Sequence, residues 1–482
     1  MKTSSGTEPS TTRLILGRFA HLLSAQGVEG LGSLLFFVYL AWLDAAFYGE
    51  VMYALAAAAI VTKLVQFGTY YPLVKLLAEQ PERCARLLNL VTVIKSLLLI
   101  PALIGLAGLA FFQHLTTQSV LILFLVSLGG ALQGIAETFF ADLRVNGRQD
   151  QESRIKMLSA ITCYGFGFLA AAAGAHPVVV SLFMLVSGAT RMGLLMPDYL
   201  VRCRTDAAAC GEWNSAWPLF RESAVYAGFL ILGLLFNKTN VFFLQNATGM
   251  EGVALYSAAY SLVEPVSTLA SEQFLTGVVF PLLAGLWVTD PERAARVVRA
   301  NAQWMLAIAF PIMFALHAGS DLLVGLIYPD KLAGAAELQR TLVWAVVLSF
   351  ENNLFCQVMM VAGAARTLVV ICAATLLLNL VLNILMVPAF GLYGGCLVIV
   401  LSKLIITIGT FGYCQFRFRF FQWGDFVFPV LLAAAGLAFF LAVTPFLTHY
   451  PAAIATLALY LFLLWKYGRR HMGAPPRKSP VD

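Results

Sequence analysis

The chain has 482 residues, of which 60% are apolar and only 12% charged, with a formal net charge of +6 and a mean hydropathy of +0.82. A soluble domain carries roughly 25% charged residues, so this chain cannot cover itself with polar surface, and a soluble globular class is excluded. Apolar runs of membrane-spanning length recur from end to end, without the alternation of barrel strands, so the expected class is an all-α polytopic membrane protein.

The opening residues, 1–12, are polar and rich in Ser and Thr, and are expected to form a disordered tail; the apolar run that follows is too long and interrupted for a cleavable signal. About fourteen spans are expected, at roughly 18–43, 51–76, 87–112, 119–142, 155–174, 178–200, 222–246, 253–284, 300–319, 340–362, 367–387, 391–414, 425–447 and 451–466. These group into an N-lobe of six spans (13–204), a linker (205–221), a C-lobe of six spans (222–415), two further helices (416–467) and a basic tail (468–482). Pro265 and Pro281 fall where the eighth span would kink.

With the N-terminus placed inside, 23 of the 31 Lys and Arg residues fall in inner segments, and only Lys331 and Arg340 fall outside. The positive-inside rule then places both termini in the cytoplasm. The eight cysteines show neither ligand spacing nor outer-side pairing, and are expected to be small packing residues. Outer loops are short apart from 320–339, and no phosphate-binding loop, metal-ligand cluster or nucleophile motif is present. The expectation is a protein that is not an enzyme, with no cofactor and no nucleic-acid partner.

The chain says one thing twice. "QPERCARLLN" (80–89) matches "DPERAARVVR" (290–299), and each is preceded by a Tyr-led, Ala-rich span: "FYGEVMYALAAAAI" (47–60) and "ALYSAAYSLVEPV" (254–266). The second and eighth spans therefore correspond, giving two pseudo-symmetric six-helix lobes in parallel orientation plus two C-terminal helices. Such parallel repeats are a transporter architecture with a site near the midplane.

The segments "YGEVMYALAAA", "ALYSAAYSLVEPVSTL", "VVFPLLAGL", "LLVGLIYPDKLAGAAELQRTLVW" and "LNLVLNILMVPAFGLYGGCLVIVLSK", in that order over roughly 14–415, resemble the polysaccharide-exporter branch of the multidrug/oligosaccharidyl-lipid/polysaccharide exporter superfamily, the O-antigen-type lipid-linked oligosaccharide flippases. The resemblance implies a fourteen-helix, two-lobed, alternating-access fold in a bacterial inner membrane. Its implied partner is an undecaprenyl-diphosphate-linked glycan, handed on to polysaccharide polymerase or export machinery. Where many relatives carry an acid in the seventh span, this chain has Asn240, which puts any coupling role of that acid in doubt.

Six cations remain inside spans: Lys63, Lys75, Lys95, Arg191, Lys238 and Lys403. Lys75 and Lys95 are near enough to the inner surface to snorkel. Lys63, Arg191, Lys238 and Lys403 lie eight or more residues from their span ends, where a charge costs at least ~2.5 kcal/mol unless it faces a wet cavity or a partner. Arg191 and Lys403 correspond under the repeat, and Lys63 and Lys238 belong, by the resemblance, to the inner walls of the two lobes. A shared cationic cavity would suit a diphosphate. The alternative is that each cation pairs with a buried acid, for which Glu29, Glu137, Glu264, Glu272 and Glu351 are available. "FNKTN" (236–240) places Asn237 and Asn240 beside Lys238 as cavity-lining groups; Gln26, Gln66 and Gln133 either line the cavity or bond across helices. Resetting an empty cationic carrier calls for a neutralising ion, and a proton or Na+ near Glu29, Glu137, Glu264 or Glu351 would serve.

Three function classes follow: a lipid-linked oligosaccharide flippase, a multidrug exporter of organic cations on the same fold, and a membrane glycosyltransferase or polymerase. The cationic cavity favours the first over the second, and the short outer loops disfavour the third.

Overall fold

A computed structural model describes residues 11–205, 216–275 and 279–472. Among them there is no strand. In chain order the helices are α1 (Thr11–Leu43), α2 (Ala45–Gln66), α3 (Tyr70–Glu79), α4 (Cys84–Phe112), α5 (Thr117–Val145), α6 (Gln149–Ala172), α7 (Pro177–Val180), α8 (Phe183–Thr205), α9 (Ala216–Phe274), α10 (Phe280–Thr289), α11 (Pro291–Ala318), α12 (Ser320–Ile327), α13 (Ala335–Leu342), α14 (Trp344–Val361), α15 (Ala365–Phe418), α16 (Trp423–Val443) and α17 (His449–Met472).

Twelve helical segments among the described residues are long and apolar enough to cross a membrane. Two of them, Trp217–Ser267 and Ala365–Phe418, run for 51 and 54 residues. At 1.5 Å per residue each would be about 75–80 Å long if straight, more than twice a ~30 Å hydrocarbon core. Each bends instead at a glycine with positive φ, Gly249 (φ 72°) and Gly391 (φ 56°). Counted on either side of those glycines, the spans number fourteen. Large apolar side chains such as Ile104, Leu169, Leu385 and Leu431 are exposed, as a hydrocarbon surround requires.

The chain forms two compact units, Met1–Ala254 and Leu255–Asp482. In the first, α5 is the central helix, packed between α2 and α8, while α1 packs on α6. The sequence of α5 explains its position. Gly130 and Gly134 present no side chain toward α2, and Gly129 presents none toward α8: a Cβ on Gly129 would sit 2.4 Å from the Met184 backbone, and one on Gly130 2.6 Å from Thr62 Oγ1. Small residues let membrane helices approach to backbone contact, where dispersion must replace the hydrophobic effect.

In the second unit, α14 and α15 are the main pair, and α11 packs against α14, α16 and α17. The two last helices are fastened to α11 by polar bonds. Arg299 donates twice to the Phe420 carbonyl (3.0 and 2.8 Å) and pairs with Asp425 at 3.2 Å. Gln303 donates to the Asp425 carbonyl, and Tyr460 to the Ala307 carbonyl, each at 3.0 Å.

The two copies of Pro-Glu-Arg both open helices, Pro81–Arg83 as a single 3-10 turn before α4 and Pro291 at the start of α11. The Asp290 side chain caps the second copy by accepting from Arg293 N at 2.9 Å. Proline fits there because the first N–H of a helix has no intrahelical partner to lose.

Several expected boundaries move. Helix α1 begins by Thr11 instead of near 18, and the expected outer loop 320–339 is largely helical, folded into α12, a 3-10 turn at Asp330–Leu332 and α13. Pro281 stands in the first turn of α10, and residues 276–278, between α9 and α10, lie outside the described residues. The expected N-terminal tail up to residue 10, most of the linker (206–215) and the tail beyond 472 lie outside the described residues.

Candidate functional site

The second span is not the continuous 51–76 helix that hydropathy suggests. It stops at Gln66, because Phe67 (φ 44°) and Gly68 (φ 62°) adopt the left-handed conformation, and α3 restarts at Tyr70. Gly68 is required there for a second reason: a Cβ would lie 2.5 Å from Ala227 N, at the beginning of α9. The Phe67 ring stacks on Phe220 of the same α9 segment, with centroids 4.4 Å apart. The break is therefore clamped by packing that local sequence does not announce.

This corrects the placement of Lys63. It lies in the last turn of α2, half-buried, and not in the middle of a long span. Its Nζ donates to Gln66 Oε1 at 3.1 Å, an amide and not a carboxylate. Gln66 thus holds the expected cation, one turn before the helix break.

Arg191 lies on the other flank of α5. It is 5% exposed, donating from Nε to Ser159 Oγ (2.9 Å) and from Nη2 to Glu29 Oε1 (3.1 Å). Ser159 and Ser187 hydroxyls share a 2.8 Å hydrogen bond, and Gln133 Nε2 donates to Ser187 Oγ at 3.1 Å. Gln133 therefore bonds across helices. The structure joins Arg191 to Glu29 and joins Lys63 to Gln66, with α5 between the two groups.

A third cation is deeper than expected. Lys95 is 2% exposed and does not snorkel; its Nζ donates to the Gly134 carbonyl at 3.0 Å. Lys75, by contrast, is exposed. Beyond Gly134 along α5 lies a charge network that the sequence distributes among loops and span ends. Glu152, fully buried, accepts from Arg144 Nε (2.8 Å) and Nη2 (2.5 Å) and from Lys156 Nζ (2.8 Å). Glu137 pairs with the same two cations at 3.4 and 3.5 Å, and Arg144 covers the Tyr70 ring at 5.0 Å from its centroid. Glu137 is thereby engaged in a structural ion network that holds α3, α5 and α6 together.

Lys238 and Asn237 are half-buried in the middle of the first part of α9, and Asn240 is fully buried. Asn237 donates to the Gly233 carbonyl at 2.7 Å, and its Oδ1 is buried with no hydrogen-bond partner. In the second unit Lys403 is half-buried on α15. Tyr260 hydrogen-bonds to Glu264, one turn on. Glu351 on α14 is 7% exposed, and neither of its carboxylate oxygens has a partner. The side chain of Glu272 lies outside the described residues.

The sequence of α15 also carries a pair of amides inside a span. Asn379 and Asn383, a turn apart in an otherwise apolar run, are both fully buried on one face of α15. Asn379 Nδ2 donates to Ser402 Oγ at 2.8 Å, and Asn383 Nδ2 donates to Asn379 Oδ1 at 3.0 Å, tying the two limbs of α15 across their bend. Two amides at that spacing in hydrocarbon already announce an interhelical bond.

The family model described as polysaccharide biosynthesis protein matches residues 42–337. Among solved structures, one described as lipid II flippase MurJ in an inward closed conformation is similar at a TM-score of 0.69 and 12% identity, over 94% of this chain and 99% of that one. An inward-facing multidrug resistance MATE family transporter of the MOP superfamily is similar at 0.63 and 15% identity, over 81% and 94%. A MOP superfamily transporter from Pyrococcus furiosus, described as having a binding pocket of reverse polarity, is similar at 0.57 and 15% identity, over 86% and 98%. No curated protein matches the sequence. The chain belongs to the polysaccharide biosynthesis protein family and is a multi-pass membrane protein with the helical fold of the MurJ and MATE structures.

Proposed function

We propose that the chain is a flippase that carries an undecaprenyl-diphosphate-linked oligosaccharide from the cytoplasmic to the outer leaflet of a bacterial inner membrane by alternating access. Both termini then lie in the cytoplasm, as the 23 inner basic residues suggest. The family supports polysaccharide assembly as the setting, and the similarity to a structure described as a lipid II flippase supports a lipid-linked substrate. Such a carrier works with polysaccharide polymerase or export machinery and performs no covalent chemistry.

The observation that carries the reading is the state of Lys63. Its Nζ donates to the Gln66 amide oxygen at the end of a broken helix, and among the described residues no carboxylate pairs with it. Lysine binds phosphate as a compact point charge with several donors. Lys238 and Lys403 join it in this proposal, and Gln66, Asn237 and Asn240 are the polar groups beside the path. Arg191 serves instead as a bridge between α8, α6 and α1, given its bonds to Ser159 and Glu29. A multidrug exporter is the alternative, supported by the similarity to MATE transporters.

The test compares binding of an undecaprenyl-diphosphate sugar with binding of tetraphenylphosphonium by the purified chain. Lys63→Ala should weaken diphosphate-lipid binding by about tenfold or more, the equivalent of one charge-assisted hydrogen bond, with an unchanged thermal midpoint. Undiminished binding by Lys63→Ala, Lys238→Ala and Lys403→Ala alike, or preference for the cation, overturns the proposal.

A further inference from the structure

Of the four carboxylates deep enough to take a coupling ion, three are already bonded. Glu29 meets Arg191, Glu137 meets Arg144 and Lys156, and Glu264 meets Tyr260. Glu351 alone among these four has both oxygens sealed from solvent with no hydrogen-bond partner.

Its surroundings follow from two contacts across the α14–α15 pair. Thr407 Oγ1 donates to the Leu348 carbonyl at 3.1 Å, and Cys414 Sγ lies 4.0 Å from the Phe355 carbonyl. Both pairs are separated by 59 residues, so α14 and the second limb of α15 run parallel in constant register, and Glu351 stands level with Thr410. Thr410 is fully buried and spends its hydroxyl proton on its own helix, on the Ile406 carbonyl at 2.8 Å.

Among the described residues, no charged group on the helices packed around α14 is within ion-pair distance of Glu351. On α15, Lys403 is two turns away, about 10 Å along the axis. Arg366 and Arg417 occupy the ends of that helix, and Tyr413 and Cys414 are the titratable groups near its inner turns. On α11, Arg299 is committed to Phe420 and Asp425, and His317 belongs to the opposite end. On α13, Glu337 bonds Tyr393 and Arg340 bonds Asp321. Helix α10 has no titratable side chain.

We propose that Glu351 is a proton-binding site: its carboxyl holds one proton in the arrangement described, and that O–H bond breaks, passing the proton to water and leaving a carboxylate, when α14 and α15 part far enough to admit solvent. A bare carboxylate in hydrocarbon with no cation and no donor is costly. A proton removes that charge with one bond, whereas Na+ needs a cage of oxygens, and no group bonded to either Glu351 oxygen begins one. The use of this proton to drive flipping rests on the flippase reading; its binding does not.

The experiment is an infrared difference titration of the full chain in lipid nanodiscs, from acid to alkaline buffer, in sodium or choline chloride. The wild type should show a carboxyl C=O stretch that titrates equally in both salts, and the band should be lost in Glu351→Gln and kept in Glu137→Gln. Glu351→Asp, should the Gln variant fail to fold, should move the band without abolishing it. Persistence of the band in Glu351→Gln, its absence from the wild type, an unshifted band in Glu351→Asp, or its removal by sodium alone overturns the proposal. Failure of the diphosphate lipid to bind would sink the flippase reading and leave the band in place.

Discussion

The Lys95 ammonium donates to the Gly134 carbonyl across 3.0 Å, so a cation in α4 is held by the backbone of α5 at a place where the sequence offers several carboxylates. The nearest of those, Glu137, is taken up by Arg144 and Lys156. One hydrogen bond to a neutral carbonyl contributes only about 1 kcal/mol, rising to about twice that for a charged donor. Lys95→Met, which keeps the volume and drops the charge, should therefore change stability by less than about 1.5 kcal/mol. Lys95→Ala, which leaves a cavity, should cost about 2–4 kcal/mol. Thermal midpoints in detergent decide; equal losses for the two variants would show that the charge, and not the packing, matters.

Glu152 behaves oppositely. It is fully buried beneath Arg144 and Lys156, and removing its charge leaves those two cations to share Glu137 alone, at 3.4 and 3.5 Å. Glu152→Gln should destabilise by about 3–5 kcal/mol. Adding Lys156→Gln should recover part of the loss, and a double-mutant cycle measures the coupling directly. Additive single effects would mean that the network is not a unit.

Two glycines of similar sequence setting should respond with opposite sign. In Gly129→Ala the new methyl meets the Met184 backbone at 2.4 Å, which rotamer change cannot relieve, so a loss of about 1–3 kcal/mol is expected. Around Gly108 there is nothing within 4 Å, so Gly108→Ala should be neutral or stabilise α4 by up to about 1 kcal/mol. The check is the denaturation midpoint of each variant at matched detergent concentration.

Arg191 reaches two partners in different directions, Ser159 and Glu29. A lysine ammonium is a single point and cannot reproduce the fork. Arg191→Lys should cost about 1 kcal/mol and Arg191→Ala about 2–3 kcal/mol. If Arg191 contacts substrate instead of bridging helices, Arg191→Ala will abolish lipid binding and leave the thermal midpoint unchanged.

Composition and hydropathy by themselves determined that this is an all-helical membrane protein of about fourteen spans, because burial in hydrocarbon is summed over about twenty consecutive residues and needs no knowledge of neighbours. The same local logic made Arg191 and Glu29 candidates for pairing, and made "FNKTN" polar within a span. Only the tertiary structure decided the rest. A side chain turns through about 100° with each residue of helix, so whether Lys95 meets lipid or the Gly134 carbonyl depends on how α4 is rotated against α5, which no local pattern encodes. The break after Gln66 depends on the first turns of α9, some 155 residues further along the chain, pressing against Gly68. Glu351 reads as one of five buried acids until the helices packed on α14 close around it and none brings a partner. A single charge is cheap or costly according to what lies within 4 Å, and that distance is set by packing.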